Sequence, residues 1–508
     1  MRGRDSQKPF AAHTVKIGDS PRACRHVVIR EACRITPKWP PCVVSLDYAS
    51  IIHLFDVNVN ALFLKKIENC VKIARKRLPR SAESVMKGNN MKLTLVATCM
   101  FGLEKLLGEE IDALGLTRLD TMDGRVTFEG TEADIPRANI ALRCAERIFV
   151  RLGSFPAHSF AELFDGTRAL PWEDWAGRAD AFPVKGHAIK SALTSIPDCQ
   201  SIVKKAVVER LKDRYGISWF EETGVKYQIE FFIFKDVAHL MIDTSGVALH
   251  KRGYRPEAGA APLRETLAAA LALTARPRED ILFWDPFCGS GTIAIEAAMI
   301  VSGRAPGLGR SFAGEEFANI PKALWDTARE EARGRIRTDC KFEVYASDID
   351  EDILDITYEN ALRAGVEEYL NIFQADARRI KKEDRKGTVV CNPPYGERMG
   401  EREEIERLYQ QLGGSFKALY PWQIYVLTSC DRFDRLYGQR ADKVKKLYNG
   451  MLPCYLYEYF KPFEARTPGG RTAKEIFDRK PDRKTEAPSP KRNTQERKTG
   501  PWKNSSGK

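Results

Sequence analysis

The chain has 508 residues, 43% of them apolar, which is enough for two or three domains with sizeable cores. Its formal net charge is +12, but residues 1–90 contribute +10 and residues 465–508 contribute +8, which leaves −6 on residues 91–464. Bulk charge therefore gives no evidence that the central body binds nucleic acid, and any attraction for an anion there must be local.

No run reaches the ~20 apolar residues of a membrane-spanning helix. The N-terminus also lacks the apolar core of a secretory signal. The 12 cysteines show no paired metal-ligand spacing; Cys24, Cys33 and Cys42, for example, recur every nine residues. Scattered cysteines of this kind are typical of reduced thiols. We therefore expect a cytoplasmic protein, monomeric, with no metal and no membrane contact.

Residues 1–90 are basic and match no pattern of regular structure. Met91 stands directly before the apolar strand pattern of residues 93–97, like a natural start. Two interpretations of residues 1–90 stay open: an over-extended reading frame, or an RNA-binding extension. At the other end, residues 465–508 are rich in Lys, Arg, Pro, Ser and Thr, which predicts a disordered basic tail.

Residues 91–250 alternate between strand and helix patterns. Strands are predicted at 93–97, 125–129, 227–234 and 237–242, and helices at 103–114, 135–143 and 198–214. In the last helix Asp198 is the expected cap, and an apolar stripe leaves Lys204 and Lys205 on the outer face.

A strand, a glycine turn and a helix follow each other at residues 281–300. The apolar run 281–284 precedes Asp285, and the helical pattern begins after Gly289 and Gly291. This is the nucleotide-site geometry of doubly wound α/β sheets, where helix-start amides and glycine backbone approach a ligand. Asp285 favours S-adenosylmethionine, whose amino group is cationic. The predicted cofactor residues of this segment are Asp285, Phe287, Gly289, Ser290, Gly291 and Thr292.

The next two predicted strands also end in acids. Residues 342–347 precede Asp348 and Asp350, and residues 370–375 precede Asp376. Because ligands in open α/β sheets bind outside the carboxyl ends of the strands, these acids should meet Asp285 at one edge. We expect Asp348 to hold the two ribose hydroxyls of the cofactor and Asp376 to accept from its adenine amine.

A fourth strand, residues 387–391, ends in the sequence Asn392-Pro393-Pro394-Tyr395. The Asn392 side-chain oxygen and the Pro393 carbonyl can both accept from one exocyclic amino group, and a tyrosine ring can stack on a base. This chemistry suits methyl transfer to an amino group of a nucleobase. We therefore predict Asn392, Pro393, Pro394 and Tyr395 as the catalytic residues, with Glu397 and Arg398 orienting the substrate.

Several segments together resemble the THUMP-containing class I methyltransferases that modify guanine N2 in RNA. The segments are 250–255 (His-Lys-Arg-Gly-Tyr-Arg), 261–270, 305–312 and 446–450 (Lys-Leu-Tyr-Asn-Gly), beside the two motifs above. The resemblance is closest to the bacterial 23S rRNA guanine-N2 methyltransferases, namely the N-terminal half of RlmL and its stand-alone relatives. It covers residues 91 to about 464.

The resemblance implies an α/β fold in which a ferredoxin-like unit (91–155) and a THUMP RNA-binding domain (156–250) precede a seven-stranded, Rossmann-like class I methyltransferase domain (251–464). It implies S-adenosyl-L-methionine as cofactor and RNA as partner, with Lys190, Lys204 and Lys205 as RNA contacts. A fifth strand at 424–428 and a hairpin turning at Asn449-Gly450 would complete the methyltransferase sheet.

The function implied is methylation of a guanine N2 amine, in 23S rRNA. Two alternatives stay open. A tRNA guanine-N2 methyltransferase would share the whole architecture, and a DNA adenine-N6 methyltransferase would share the Asn-Pro-Pro-Tyr motif but carry a DNA-reading domain in place of THUMP. A non-catalytic RNA-binding protein is disfavoured, because no cofactor or target motif is broken.

Overall fold

A computed structural model describes residues 92–255, 263–395 and 401–461, and only the backbone of Glu401. The basic extension, the tail and residues 396–400, with Gly396, Glu397 and Arg398, lie outside the described residues. Within the described ranges two seven-stranded sheets carry the fold. The fold class expected from the sequence is confirmed.

The first sheet combines the ferredoxin-like and THUMP segments in one continuous surface of order β2-β3-β1-β4-β7-β6-β5. Its strands are β1 (Leu93–Thr98), β2 (Thr117–Met122), β3 (Arg125–Gly130), β4 (Arg147–Pro156), β5 (Val184–Ile189), β6 (Ile229–Phe234) and β7 (Val237–Asp243). Its helices are α1 (Glu104–Ala113), α2 (Asp134–Ala141), α3 (Phe160–Arg168) and α4 (Ile196–Tyr215).

Strand β4 joins the two segments, because it pairs with β1 on one side and with β7 on the other. The sequence pattern missed this strand, whose second half contains Gly153 and Pro156 and a register shift between Arg151 and Gly153. Helix α4 begins at Ile196 with Ser195 before it, so Asp198 lies in the first turn instead of capping the helix. We refer to β1–β7 with α1–α4 as the platform.

The second sheet has the order β10-β9-β8-β11-β12-β14-β13, and β14 alone runs antiparallel to β12. Its strands are β8 (Leu282–Asp285), β9 (Val344–Asp348), β10 (Leu370–Gln374), β11 (Gly387–Cys391), β12 (Gln423–Thr428), β13 (Lys443–Asn449) and β14 (Leu452–Tyr459). The helices are α5 (Glu265–Ala275), α6 (Thr292–Val301), α7 (Lys322–Gly334), α8 (Asp352–Ala364), α9 (Glu401–Lys417) and α10 (Phe433–Tyr437).

Polar contacts fix the platform to the helix α6 of the second sheet. Arg143 donates to the carbonyls of Met299 (3.1 Å) and Arg304 (2.7 Å) at the end of α6. The carbonyl of Arg143 in turn accepts from Arg252, which forms an ion pair with Glu296 in the middle of α6 (3.4 Å). The segment 250–255 therefore connects the platform to helix α6 through Arg252, which is buried. No helix among the described residues is long and apolar enough to cross a bilayer.

Candidate active site

The four polar strand ends predicted from the sequence meet at one edge of the second sheet. Because β10, β9, β8 and β11 are parallel neighbours, their carboxyl ends lie side by side. Asp285, Asp348, Asp376 and Asn392 all line one cavity of about 570 Å³. Its lining also includes Phe287, Gly289, Ser290, Thr292 and Pro394 from the predicted set. A cavity of this size is typical of a site for a small organic cofactor.

The glycine turn that borders this cavity is held from behind by α8. Gly289 and Gly291 have φ of +49° and +81°, a region that favours glycine. Thr357 donates to the Gly289 carbonyl, and Asn360 donates to the Ser290 carbonyl (3.0 Å). The sequence pattern identified the glycines, but it gave no sign that α8 braces them.

The two glycines face different surroundings. A Cβ at Gly291 would lie 2.8 Å from Thr357 Cγ2, whereas a Cβ at Gly289 would meet nothing within 4 Å. Gly291 is therefore required by packing within the protein. The space beside Gly289 is open, and it adjoins the cavity, so a ligand can approach the backbone there.

Asp285 is the most buried acid of the cavity, with 1% of its surface exposed. Its carboxylate accepts from the Phe287 amide (3.2 Å). Burial raises the pKa of Asp285 well above its ordinary value, and the nearby Asp348 carboxylate adds to the rise. A cationic group placed in the cavity would favour the ionised form of this acid.

Asp348 follows the neighbouring strand and accepts from the amides of Gly289 (2.9 Å) and Asp350 (3.2 Å). The first of these bonds ties the acid to the glycine turn. Ile349 also lines the cavity with 59% of its surface exposed, a hydrophobic face that the sequence analysis did not single out. Asp350 does not line the cavity.

Asp376 is engaged by Arg378, whose Nε lies 2.7 Å and 3.0 Å from the two carboxylate oxygens. This hydrogen-bonded ion pair lowers the pKa of Asp376. Arg378 lines the cavity as well. The Arg378 amide also donates to Asp376 Oδ1 (2.9 Å), and Arg378 Nη2 lies 2.7 Å from Oδ2. Because a carboxylate has about four acceptor positions, a ligand amine at Asp376 would have to displace part of this pairing.

The side chains of Asn392 and Tyr395 are hydrogen-bonded to each other. The Tyr395 hydroxyl donates to Asn392 Oδ1, and Cys454 Sγ lies 3.8 Å from the same hydroxyl. Burial raises the pKa of Tyr395 far above its ordinary value. Among the described residues that line the cavity, Asn392 and Pro394 are present but Pro393 and Tyr395 are not. In this conformation Tyr395 packs towards β14, so the stacking role expected for it requires a different rotamer.

The Asn-Pro-Pro-Tyr turn is anchored from below by Tyr409 of α9. The Tyr409 hydroxyl donates to the Pro394 carbonyl (2.7 Å) and lies 2.8 Å from Thr428 Oγ1 at the end of β12. Tyr409 is fully buried. The cavity wall next to this anchor is formed by Glu404, Ile405 and Leu408 of α9, which the sequence analysis did not predict.

Arg255 is another residue whose position the sequence did not reveal. Its guanidinium donates to the Leu263 carbonyl (3.2 Å) and the Thr292 hydroxyl (3.1 Å), and it pairs with Glu265 (3.0 Å). Leu263 and Thr292 line the cavity. Arg255 therefore holds α5 and the start of α6 together at the cofactor edge.

The three lysines predicted to contact RNA differ in their surroundings. Lys190 and Lys205 are exposed. Lys204 is half-buried, where it pairs with Glu222, donates to the Phe182 carbonyl (3.2 Å) and lies 3.8 Å over the Phe182 ring. Lys204 thus has partners inside the protein, and Lys190 and Lys205 are better placed to meet a phosphate. The described residues contain no group of three or more side chains that could hold a metal.

Three family models match the chain in succession: the RlmL ferredoxin-like domain at 94–149, the THUMP domain at 157–243 and the RMKL-like methyltransferase domain at 252–458. YpsC of Bacillus subtilis (strain 168), whose name describes an RNA methyltransferase, is 44% identical over 372 residues, which is 73% of this chain and 96% of YpsC. The chain belongs to the RMKL-like methyltransferase family.

The RMKL-like relatives include longer proteins. The ribosomal RNA large subunit methyltransferase K/L of Vibrio campbellii is 34% identical over 371 residues, which is 70% of this chain and 52% of that protein. The chain therefore spans about half the length of the K/L proteins that it matches.

A solved RMKL-like relative identifies the cofactor. The crystal structure of the methyltransferase SMU.472 complexed with SAH has a TM-score of 0.69 and 38% identity, and covers 74% of this chain and 99% of that one. S-adenosyl-L-methionine is the cofactor. The residues present fit this cofactor. The cavity has the required size, the backbone at Gly289 is open to a ligand, and the buried carboxyl of Asp285 lines the cavity.

Proposed function

We propose that this protein methylates the exocyclic N2 amine of a guanine in 23S rRNA. The observation that carries the proposal is the position of Asn392, at the end of the strand next to β8 and on the wall of the cofactor cavity. An amine held by Asn392 would lie beside the cofactor. The THUMP and ferredoxin-like segments support RNA as the substrate class.

In this proposal S-adenosyl-L-methionine supplies an electrophilic methyl group when it is bound. Asp285 would pair with the cationic amino group of the cofactor, Asp348 would accept from the ribose hydroxyls, and Asp376 would accept from the adenine amine. Phe287, Gly289, Ser290 and Thr292 line the cavity next to these acids. Arg255 keeps Leu263 and Thr292 in place around them.

The target guanine is oriented by the Asn-Pro-Pro-Tyr turn. Asn392 Oδ1 and the Pro393 carbonyl accept the two hydrogens of the N2 amine, which directs the nitrogen lone pair out of the ring plane towards the methyl group. Asn392 must first release the Tyr395 hydroxyl, and Tyr395 then turns to stack on the base. Transfer would break the bond between sulfur and the methyl carbon, leave S-adenosylhomocysteine, and release one proton from the methylated nitrogen to solvent. Positioning supplies most of the rate, so the reaction needs no strong base.

The test is to incubate the purified protein and labelled S-adenosylmethionine with 23S rRNA, tRNA and duplex DNA, and then to identify the modified nucleoside after digestion. We expect N2-methylguanosine in 23S rRNA. The same nucleoside in tRNA alone would change the substrate but keep the chemistry. N6-methyladenine in DNA would overturn the proposed function.

A further inference from the structure

The hairpin of β13 and β14 ends in an exposed apolar tip at the catalytic edge of the sheet. Strand β12 ends at Thr428 on this edge, and it pairs with Tyr455 near the start of the antiparallel β14. The turn between Asn449 and Leu452 therefore projects beyond the same edge as Asn392. Met451, in that turn, has 96% of its surface exposed.

The hairpin tip is adjacent to the catalytic motif. Cys454 Sγ lies 3.8 Å from the Tyr395 hydroxyl, and that hydroxyl donates to Asn392. Met451 lies three positions before Cys454, which is a span of at most roughly 10 Å along an extended chain. An RNA nucleotide that enters beside Asn392 and Tyr395 therefore has its neighbours within reach of Met451.

The tip is held in place by the platform. The ring of Phe101 packs edge to face against Tyr448, with 6.0 Å between the ring centroids. Gly102 approaches the hairpin so closely that a Cβ there would lie 2.8 Å from the Lys446 carbonyl. Phe101 is itself 53% exposed. We call Phe101, Tyr448 and Met451, which lie at or beside the hairpin tip, the tip ridge.

A single exposed apolar residue is ordinary on a protein surface. The tip ridge differs because one face of its hairpin carries Cys454 against Tyr395, and on the other face Tyr448 packs against Phe101. An enzyme that acts on the Watson–Crick edge of a base must extrude that base from its stack, which costs unstacking energy. Apolar side chains inserted between bases are a known means of offsetting that cost.

We propose that Met451, on a hairpin that Phe101 contacts through Tyr448, is a wedge that enters the RNA stack and occupies the space vacated by the extruded guanine. This proposal rests on the proposed function, since it assumes an RNA base as the target. The proposal also assigns a role to residues 446–450 (Lys-Leu-Tyr-Asn-Gly), which precede Met451 and have no part in binding the cofactor or the target amine. Met451 is a positioning residue and does not touch the reacting atoms.

The test compares Met451→Ala with wild-type protein on two RNA oligonucleotides that contain the methylated guanine, one with the guanine paired and one with it bulged. We expect kcat/KM on the paired target to fall roughly tenfold, in line with the lost burial of a methionine side chain, and to stay at the wild-type value on the bulged target. With 2-aminopurine in place of the paired guanine, fluorescence should rise less on binding of the variant, because less base is unstacked.

Leu119→Ala is the matched control, since Leu119 is a half-exposed apolar residue on β2 at the far edge of the platform sheet. It should match wild-type protein on both targets. Two results would overturn the wedge proposal. One is a kcat/KM of Met451→Ala on the paired target equal to that of Leu119→Ala, and the other is an equally large loss of kcat/KM on the bulged target. If the modified base is not guanine, the proposed function fails, and the paired and bulged versions of that other base still test Met451.

Discussion

Asp285 combines a buried position with a role that needs its charge. In the protein without cofactor, burial raises the pKa of this carboxyl above its ordinary value of 3.8. A carboxyl whose folded pKa is raised binds more protons in the folded than in the unfolded state, so its contribution to stability falls as the pH rises through that interval. A cation bound next to Asp285 lowers the pKa of this carboxyl and favours its ionised form.

We therefore predict that S-adenosylmethionine binds more tightly as the pH rises above the ordinary carboxyl pKa of 3.8, up to the pKa of its ammonium group at roughly 7.7–8.0. Binding should release protons, which titration calorimetry in two buffers of different ionisation enthalpy measures. Asp285→Asn should weaken binding and remove most of the proton release. Equal proton release in this variant would show that another group titrates.

Asn392 is the residue on which the proposed chemistry depends most directly. Asn392→Ala should leave the dissociation constant of S-adenosylmethionine unchanged, because the proposed cofactor contacts lie elsewhere. It should lower methyl transfer beyond detection, a loss of at least roughly 10²-fold, as for removal of one positioned hydrogen-bonding group. Asn371→Ala provides the control, since Asn371 bonds to Glu343 away from the cavity. Full turnover by Asn392→Ala would refute the role.

At the scale of elements, the glycine turn depends on the helix behind it. The strand β8 and the helix α6 follow from local apolar patterns, so the sequence of residues 281–300 predicted the bounds of both elements closely. The distance between Gly291 and Thr357 depends on how α8 packs, and no local pattern carries that information. The same holds for β4, whose second half contains Gly153 and Pro156 and is a strand because β7 pairs with it.

Gly291→Ala should therefore lower the free energy of unfolding by more than Gly289→Ala. Both substitutions meet the cost of a left-handed backbone, about 1–2 kcal/mol, and only Gly291→Ala also clashes with Thr357. Adding Thr357→Ser to Gly291→Ala should restore part of the loss, because it removes Cγ2 and keeps the hydroxyl that bonds to Gly289. Urea unfolding measures all three, and equal losses for the two glycine variants would contradict the packing explanation.

At the scale of the whole molecule, the platform and the methyltransferase sheet are joined through charged groups that have almost no contact with water. The side chains of Arg252 and Glu296 are 2% and 0% exposed. Arg252 also donates to the Leu249 carbonyl (2.7 Å), and the Tyr254 hydroxyl donates to Glu296 (3.3 Å). Buried ion pairs of this kind add little net stability but strongly penalise the loss of one partner.

Arg252→Met should accordingly lower the free energy of unfolding by about 3–5 kcal/mol, because it leaves the Glu296 charge buried without its cation. Adding Glu296→Gln should recover much of the loss, since the amide carries no charge and still accepts from Tyr254. A double-mutant cycle by urea unfolding tests this. Purely additive effects would mean that the two side chains do not interact.

The proposed binding of RNA by the platform belongs to the same scale, because residues 91–464 are acidic overall and any attraction for RNA must come from particular sites. We predict that the double variant Lys190→Glu/Lys205→Glu binds 23S rRNA more weakly, with a plot of log affinity against log salt shallower by about one unit per lost contact. Lys204 is left intact, because its substitution would break the pair with Glu222. Lys322→Glu on α7 is the control for charge, and an unchanged salt slope in the double variant would count against these contacts.

The sequence by itself determined the four polar strand ends, the glycine turn and the hairpin at Asn449-Gly450, but it missed β2, β4, β5 and α3 of the platform. These features are local, since apolar periodicity, glycine and proline act within a few residues. Parallel pairing then places the strand ends together without further information. The expected seven-stranded methyltransferase sheet is confirmed for this reason.

Only the tertiary structure decided which hydrogen-bond and ion-pair partners the polar side chains have. Arg378 engages Asp376, Tyr395 donates to Asn392, and Glu222 pairs with Lys204. It also decided that one sheet runs through the ferredoxin-like and THUMP segments, and that Met451 stands beside the catalytic turn. A polar side chain bonds to whichever partner packing brings near, and long-range strand pairing has no local signature, so a sequence pattern cannot specify either.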